Sequence, residues 1–153
     1  MTKADSPGVR VPPPFIFAAA FGLGLGLQSL VPGWFLPAFL ELPGLVLVVA
    51  GLGLMFLSVG VFWSRRTTIM PNKSATEFVV VGPYRFTRNP MYVGMSAAYV
   101  GLAFAFGQLL PLVLLPLAVL VIGRTVIVPE EEYLLRSFGA SYEEYCSRVR
   151  RWL

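Results

Sequence analysis

The sequence contains no histidine and a single cysteine, Cys146. Without histidine there is no Ser-His-Asp triad and no His-ligated metal site, and one cysteine cannot form a disulfide within the chain. Charged residues are also scarce, because they make up 13% of the 153 residues. A soluble domain has about 25%. The composition therefore excludes several common kinds of site and argues against a water-soluble protein.

What the chain has instead is apolar sequence. Hydrophobic residues make up 56% of it and the mean hydropathy is +0.72. Four apolar stretches are each near the roughly 20 residues that cross a bilayer, at about 15–35, 43–64, 91–107 and 109–128. The last two are joined by the short turn "GQLLP". We predict an all-α integral membrane protein with about four transmembrane helices, the third and fourth forming a tight hairpin, and no Rossmann domain.

We predict one domain over residues 1–153. Residues 1–14 form a polar, proline-rich tail, residues 15–64 form the first two spans, and residues 65–153 carry the functional part.

The distribution of charge predicts the orientation. If the N-terminus is cytoplasmic, eleven of the twelve basic residues lie in cytoplasmic segments, and the twelfth, Arg124, lies near the inner end of the fourth span. The outer loops then carry only Glu41, as the positive-inside rule expects. We predict a multi-pass protein of the inner membrane with both termini in the cytoplasm. Since the basic residues lie at the ends of apolar runs, the net charge of +4 indicates topology and lipid headgroups rather than nucleic acid.

After residue 128 the chain becomes polar, in the segment "PEEEYLLRSFGASYEEYCSRVRRWL". Pro129 suits the first turn of a helix, and the acidic residues 130–132 follow where the helix dipole favours negative charge. Gly139 predicts a stop and Ser141 a cap for a second short helix. The pattern predicts amphipathic helices at the cytoplasmic membrane surface, with an apolar stripe of Tyr142, Tyr145 and Val149.

Glycines recur in the apolar runs "FGLGLGLQ" and "AGLGLMF". Gly22 and Gly26 are four residues apart, which is typical of helices whose backbones approach closely. A nucleotide-binding glycine loop would follow a strand and open a helix, and no strand precedes these residues. We predict that they pack against another helix, and small residues on the first helix also permit a homodimer.

The polar residues are predicted to meet on one side of the membrane. They comprise the stretch "GPYRFTRNPMYVG" at 82–94, hereafter the hinge motif, together with Arg124 and the acidic residues 130–132. The third helix is predicted to begin at the membrane face at which the fourth helix ends, so these polar residues lie at the same face. An ionisable residue in a span predicts a functional site. Snorkelling of Arg124 and a solvated acidic helix start are the alternatives.

Two separated motifs resemble a known family. "VVVGPYRFTRNPMYVG" is followed about forty residues later by "EEEYLLRSFGASYEEYCSRVRRW". Together they resemble the isoprenylcysteine carboxyl methyltransferase family and, more broadly, integral-membrane methyltransferases that include phospholipid N-methyltransferases. Those proteins carry G-x-Y-x-x-x-R-[HN]-P-x-Y, then a Glu-Glu pair and F-G-x-x-Y-x-x-Y. The resemblance covers about 67–152, and the first two spans match only in hydrophobicity.

This resemblance implies an S-adenosylmethionine (SAM) site, with S-adenosylhomocysteine as product, built from the inner helix ends and the tail. It places the cofactor contacts on Thr76, Glu77, Phe78, Val79, Tyr84, Asn89, Pro90, Met91, Tyr92 and Glu130. Arg124 or Arg136 would pair with a substrate carboxylate, and Glu131 would act as base if the acceptor is an amine. The family often has histidine where this chain has Asn89, which can hydrogen-bond but cannot shuttle a proton near neutral pH.

The implied activity is methyl transfer to a lipophilic acceptor that enters from the bilayer among the membrane lipids. The most similar members act on the carboxylate of a prenylated cysteine. A lipid amine, a small isoprenoid and a hydrophobic thiol or acid stay open as acceptors. A membrane reductase of the sterol-reductase kind, using NADPH, is an alternative enzyme, and a membrane scaffold is the non-enzymatic alternative.

Overall fold

The computed structural model describes residues 11–64 and 80–153, and six α-helices account for most of them. The helices are α1 Pro13–Gln28, α2 Glu41–Ser64, α3 Pro90–Ala105, α4 Leu109–Ile122, α5 Val128–Phe138 and α6 Ala140–Arg148. Within these two ranges the only β-pairing is an isolated bridge between Phe35 and Gln108. The predicted all-helical fold without a Rossmann sheet is therefore confirmed for the described chain.

Two helices are long and apolar enough to cross a membrane, at Ala38–Val61 and Leu109–Phe138. The other two apolar helices, α1 and α3, have 16 residues each. The helix predicted at 91–107 is close to α3. The first helix was predicted to reach residue 35, which is wrong, because α1 ends at Gln28.

The side chain of Gln28 explains this early end. Gln28 is only 3% exposed, and its Nε2 donates to the Trp34 carbonyl at 2.8 Å. Its Oε1 accepts from the amides of Leu109 and Leu110, at 3.1 and 2.9 Å. The first amides of a helix have no partner within that helix. Gln28 therefore caps α4 from another part of the chain, and the loop after α1 turns back over the Gln28 side chain.

Helices α2 and α3 pack backbone to backbone. A Cβ atom added to Gly51 would lie 2.5 Å from the Ala98 nitrogen, and one added to Gly101 would lie 2.6 Å from the Gly44 oxygen. No side chain fits at such distances, so glycine at these positions allows the close approach. The contacts pair the start of α2 with the end of α3, and the two helices are antiparallel.

The predicted packing role of Gly22 and Gly26 is wrong within this chain. A Cβ at either position would meet nothing within 4 Å, whereas one at Gly24 would lie 2.6 Å from Cα of Pro111. Helix α1 thus packs on α4 through the glycine between the two predicted ones. Tyr99 connects α3 to the same part of α4, since its hydroxyl donates to the Pro111 carbonyl at 2.8 Å.

Helix α4 continues into α5 without a break. The two are joined by a π-helical segment, Gly123–Ile127, in which the Val128 amide bonds to the Gly123 carbonyl five residues back. Pro129 stands in the first turn of α5, as predicted. Proline has no N–H for the carbonyl four residues before it and its ring crowds that carbonyl. The widened turn accommodates the proline within one 30-residue helix, Leu109–Phe138.

The tail folds back beside this long helix. Helix α5 ends at Gly139, whose φ of +50° suits glycine, so the predicted stop is confirmed. Gly139 is also the N-cap of α6, which has no side-chain cap, so the predicted cap by Ser141 is wrong. The predicted apolar stripe is buried together with residues of α5. Trp152, in contrast, packs against the main core.

Candidate active site

The hinge motif positions its aromatic residues through local backbone rules. Gly82 has a φ of +61°, which glycine adopts readily, and it is the first residue of a 3-10 turn, Gly82–Arg85. This turn buries the side chain of Tyr84. Asn89 is the N-cap of α3 and Pro90 occupies its first position, where the missing N–H costs nothing. Helix α3 then directs Tyr92, which is 5% exposed, into the core.

Tyr92 and Glu130 form the centre of the site. The Tyr92 hydroxyl lies 3.1 Å from Oε1 and 3.2 Å from Oε2 of Glu130, so it donates to the carboxylate. No lysine or arginine among residues 11–64 and 80–153 forms a salt bridge with Glu130. Glu130 is thus a half-buried carboxylate with a neutral hydrogen-bond donor and no cationic partner in the part of the chain that is described.

Tyr84 completes this centre. Burial and the nearby Glu130 carboxylate raise the pKa of Tyr84 above its usual range. The main-chain oxygen of Tyr84 accepts a hydrogen bond from Tyr145 at 2.7 Å, which ties the hinge motif to α6. Burial likewise raises the pKa of Tyr145, to about 12, so its hydroxyl stays protonated as a donor near neutral pH. Tyr84, Tyr92 and Glu130, all predicted from the sequence, are therefore brought together.

Glu131 makes different contacts. Its Oε1 lies 3.1 Å from Nη1 of Arg88 and accepts from Nε of Arg151 at 3.1 Å. The hydrogen bond to Glu131 raises the pKa of Arg151. Only 15% of the Glu131 side chain is exposed. This carboxylate joins the hinge motif to the C-terminal residues, and its predicted role as a base stays a prediction.

The two arginines proposed for substrate binding lie on the surface. Arg124 is exposed, and Arg136, 61% exposed, forms a salt bridge of 3.9 Å with Glu132 one turn earlier on α5. Neither makes a hydrogen bond or salt bridge to Tyr92 or Glu130 in the described structure. Their roles stay predictions.

The remaining predicted cofactor contacts lie in the hinge motif and the segment before it. Asn89 is 8% exposed and its Nδ2 donates to the Arg151 carbonyl at 2.9 Å. Pro90 is fully buried and Met91 is half-buried. Thr76, Glu77, Phe78 and Val79 lie outside the described residues.

Sequence reasoning assigned Arg88 to topology alone and missed its structural role. Besides its salt bridge with Glu131, Arg88 donates from Nη1 to Sγ of Cys146 at 2.8 Å. These residues border an open cleft of about 350 Å³ between α5 and α6. The signal was the R-N-P element followed by an acidic run forty residues later, but no sequence pattern tells which glutamate an arginine will pair with.

Fold and site together define a class: an all-helical, membrane-associated protein with a polar centre built by the hinge motif, the start of α5 and the tail. A family model narrows this class. Residues 40–141, about two thirds of the chain, match the model described as phospholipid methyltransferase, and the chain belongs to that family of membrane methyltransferases. The match includes the hinge motif and the acidic run.

One relative is the nickel-cobalt-cadmium resistance protein NccN of Alcaligenes xylosoxydans xylosoxydans. It is 30% identical to this chain over 104 residues, which are 68% of this chain and 47% of that protein. The chain therefore spans about half the length of this relative. The resistance in its name is a property stated of that protein.

Proposed function

We propose that this protein transfers a methyl group from SAM to a lipophilic acceptor that reaches the site from the bilayer. The observation that carries this proposal is the Tyr92–Glu130 pair, a shielded carboxylate with no cation beside it in the described chain. Membership of a methyltransferase family supports the reaction class. SAM supplies an electrophilic methyl group on a sulfonium, and its transfer is an in-line displacement that leaves S-adenosylhomocysteine.

The residues at the centre suit a cationic ligand. A half-buried carboxylate without a counterion is unfavourable, and a ligand carrying an ammonium or sulfonium group relieves that cost. The side chains of Tyr84 and Tyr92 are both buried and both interact with Glu130. Aromatic faces stabilise cations by about 0.5–2 kcal/mol. We assign the ammonium group or ribose hydroxyls of SAM to Glu130 and its sulfonium to the two tyrosines.

A carboxylate is the acceptor that this centre suits best. A carboxylate attacks an electrophilic methyl group without losing a proton, so the protein has only to align the reactants and exclude water. The chain has no histidine, and Glu131 is engaged with Arg88 and Arg151. The carboxylate of a prenylated cysteine is therefore the first acceptor to test.

A lipid amine is the second candidate. Its support is the family description, phospholipid methyltransferase. A protonated amine must lose its proton before attack, and the base predicted for it, Glu131, is engaged with Arg88 and Arg151, so this acceptor ranks second.

Calorimetry on the purified protein in detergent tests the donor. We expect SAM and S-adenosylhomocysteine to bind with micromolar affinity and NADPH not to bind. Binding of NADPH without SAM would identify a reductase instead, and binding of neither would remove the enzymatic proposal.

Transfer of a radiolabelled methyl group tests the acceptor. N-acetyl-S-farnesylcysteine and phosphatidylethanolamine are offered separately in mixed micelles. A methyl ester releases its label as methanol in mild base, whereas an N-methyl group keeps it. We expect base-labile product from the prenylated cysteine. Base-stable label in the phospholipid alone would establish the amine reaction.

A further inference from the structure

The last five residues, 149–153, form a strap that returns to the hinge motif. The Arg88 amide donates to the Arg150 carbonyl at 2.9 Å. The Arg151 carbonyl accepts from the Thr87 hydroxyl at 3.1 Å and from Nδ2 of Asn89 at 2.9 Å. Three consecutive residues of the hinge motif thus hold two consecutive carbonyls of the strap, across more than 60 residues of sequence.

These bonds are shielded from water. Thr87 is 3% exposed and Asn89 is 8% exposed. The main-chain amide of Asn89 also donates to the Thr87 hydroxyl at 3.2 Å, which fixes the Thr87 side chain relative to the Asn89 backbone. Loss of one partner would leave a buried polar group unsatisfied, and such a loss costs more than the net value of a hydrogen bond.

The strap carries Trp152 into the core beside the candidate active site. Trp152 packs against a cluster that contains Tyr92 of α3 and Ile122 of α4. Tyr92 is the donor to Glu130. The indole therefore supports the helix that presents the central pair, and the hydrogen bonds from Thr87 and Asn89 hold the backbone next to that indole.

We propose that Asn89 is a positioning residue: through its hydrogen bond to the Arg151 carbonyl it holds the strap and Trp152 in place, and through them Tyr92 and the SAM site. The expected effect of Asn89 on SAM binding rests on the proposed function. The side-chain amino group of Asn89 is already engaged with the strap, so it acts on the cofactor indirectly. Asparagine suffices because the position needs an N–H donor and not a proton shuttle.

A double-mutant cycle tests this route. Asn89→Ala is expected to weaken SAM binding about tenfold, the equivalent of about 1.4 kcal/mol for a buried hydrogen bond. Removal of residues 150–153 takes away both carbonyls and Trp152, and it should weaken SAM binding at least as much. Asn89→Ala should then have no further effect in the shortened chain. If the two losses multiply instead, Asn89 contacts the cofactor directly and the proposal is overturned.

Conservative variants separate position from folding. Asn89→His keeps a ring N–H donor and should restore most of the affinity, whereas Asn89→Asp keeps the shape, loses the donor and should behave like alanine. Equal affinity of the His and Asp variants would contradict a donor role. Ser147→Ala is the control, because the Ser147 hydroxyl bonds only to Glu144 within α6.

Fluorescence reports the strap without SAM. The chain has three tryptophans, and replacing the exposed Trp34 and Trp63 by phenylalanine leaves Trp152 as the sole reporter. Asn89→Ala and Thr87→Ala should shift its emission to the red and increase its quenching by acrylamide, and Ser147→Ala should not. Unchanged emission in both variants would overturn the proposal. If the wild-type protein binds no SAM, the proposed function fails, and this measurement still decides the hinge-to-strap contact.

Discussion

At the residue scale, Glu130 and Glu131 show how one acidic run serves two purposes. Consecutive side chains on an α-helix point about 100° apart. Glu130 accordingly meets Tyr92, whereas Glu131 meets Arg88 and Arg151. The first carboxylate has no cation in the described chain and the second has two, so replacing the two glutamates should have different consequences.

Glu130→Gln removes the charge but keeps the shape and an oxygen that accepts from Tyr92. We expect SAM affinity to fall by about 10- to 100-fold, since a hydrogen bond to a charged group contributes about 1.5–3 kcal/mol, while the melting temperature stays the same. Calorimetry and thermal unfolding of the same preparations measure the two quantities.

Glu131→Gln and Glu132→Gln are the matched comparisons. Glu131→Gln should lower the melting temperature, because it leaves Arg88 and Arg151 without their partner. Glu132→Gln should change neither SAM affinity nor the melting temperature, because the Glu132 side chain is 64% exposed. A Glu130→Gln variant with wild-type affinity would show that the cationic end of SAM lies elsewhere.

Gln28→Leu tests the cap of α4. Leucine fills similar space but leaves the amides of Leu109 and Leu110 and the Trp34 carbonyl without their partner. An unsatisfied buried group costs about 1–3 kcal/mol, so we expect a clearly lower melting temperature. SAM affinity at low temperature should be retained, since the cap lies at the other end of α4 from Glu130.

Gln108→Leu is the control for this cap. The Gln108 side chain bonds to the Phe106 carbonyl at an exposed position, and its loss should change stability little. Equal melting temperatures of the two leucine variants would mean that the Gln28 hydrogen bonds contribute nothing measurable.

The contrast between Glu130 and Gln28 shows what residue patterns predict. Glu130 was found because the acidic run stands in a motif beside an apolar helix. Gln28 was not, because a single amide in an apolar run carries no periodicity, and the helix amides that it caps lie more than 80 residues away. The strap was missed for the same reason, since main-chain carbonyls such as that of Arg151 leave no mark in the sequence.

At the scale of elements, the π-helical segment Gly123–Ile127 sets which carboxylate faces α3. Such segments occur often at functional sites. A π turn contains one more residue than an α turn over the same rise, so everything after it is rotated by about 100° relative to a regular helix. The direction of Glu130 toward Tyr92 therefore depends on the π turn, which takes up this extra residue.

Deletion of Thr125, whose side chain is exposed, should convert the segment to a regular helix. A regular turn holds one residue fewer than a π turn, so the deletion keeps Glu130 directed at Tyr92, and we expect SAM affinity close to that of the wild type. Gly123→Ala is the control, because a Cβ there meets nothing within 4 Å and the register is kept. A large loss of SAM affinity in the folded deletion variant, with wild-type affinity in Gly123→Ala, would show that the π turn does not set the direction of Glu130 in this way.

Element boundaries were predictable where composition changes and not where geometry decides. Helix α2 was expected at 43–64 and extends over Glu41–Ser64, because charge and proline mark its ends. The π segment has no signature apart from Pro129. Glycine spacing was misleading on α1, where Gly24 and not its neighbours contacts Pro111, because the packing face depends on where the other helix lies.

At the scale of the whole molecule, most of the exposed aromatic residues among those described fall into two groups, as in proteins whose ends lie at two membrane surfaces. Trp34, Phe35, Phe39 and Phe106 lie near the start of α2 and the end of α3, and Trp63 and Phe86 lie near the other ends. Helix α2, with 24 residues, is about 36 Å long, enough for the roughly 30 Å of a bilayer core.

The unequal lengths of α2 and α3 recess the site relative to the end of α2. Gly94 lies against Gly51 and Met55. From that level α3 extends four residues back to Pro90, whereas α2 continues to Ser64. At about 1.5 Å per residue the start of α3 is recessed by about 10 Å relative to the end of α2. A recessed hinge motif suits an acceptor with a long apolar chain, since the reacting group need not leave the membrane.

Labelling of single cysteines tests whether α3 crosses the membrane, which its 16 residues leave open. Cys146→Ser removes the native cysteine, and a cysteine is then placed at the exposed Ala38 or Ser137. With α2, α3 and the long helix Leu109–Phe138 all crossing, the two positions lie on opposite sides. If only the two long helices cross, an even number of crossings separates them, and they lie on the same side.

Together with the positive-inside prediction, three crossings give a specific pattern. A membrane-impermeant maleimide should label Ala38→Cys in spheroplasts but not in inverted vesicles, and Ser137→Cys in inverted vesicles but not in spheroplasts. Labelling of both positions from one side would show that α3 enters the membrane without crossing it. Reversed labelling would keep the three crossings and place the Tyr92–Glu130 centre on the outer side, away from cytoplasmic SAM, so it would also contradict the proposed reaction.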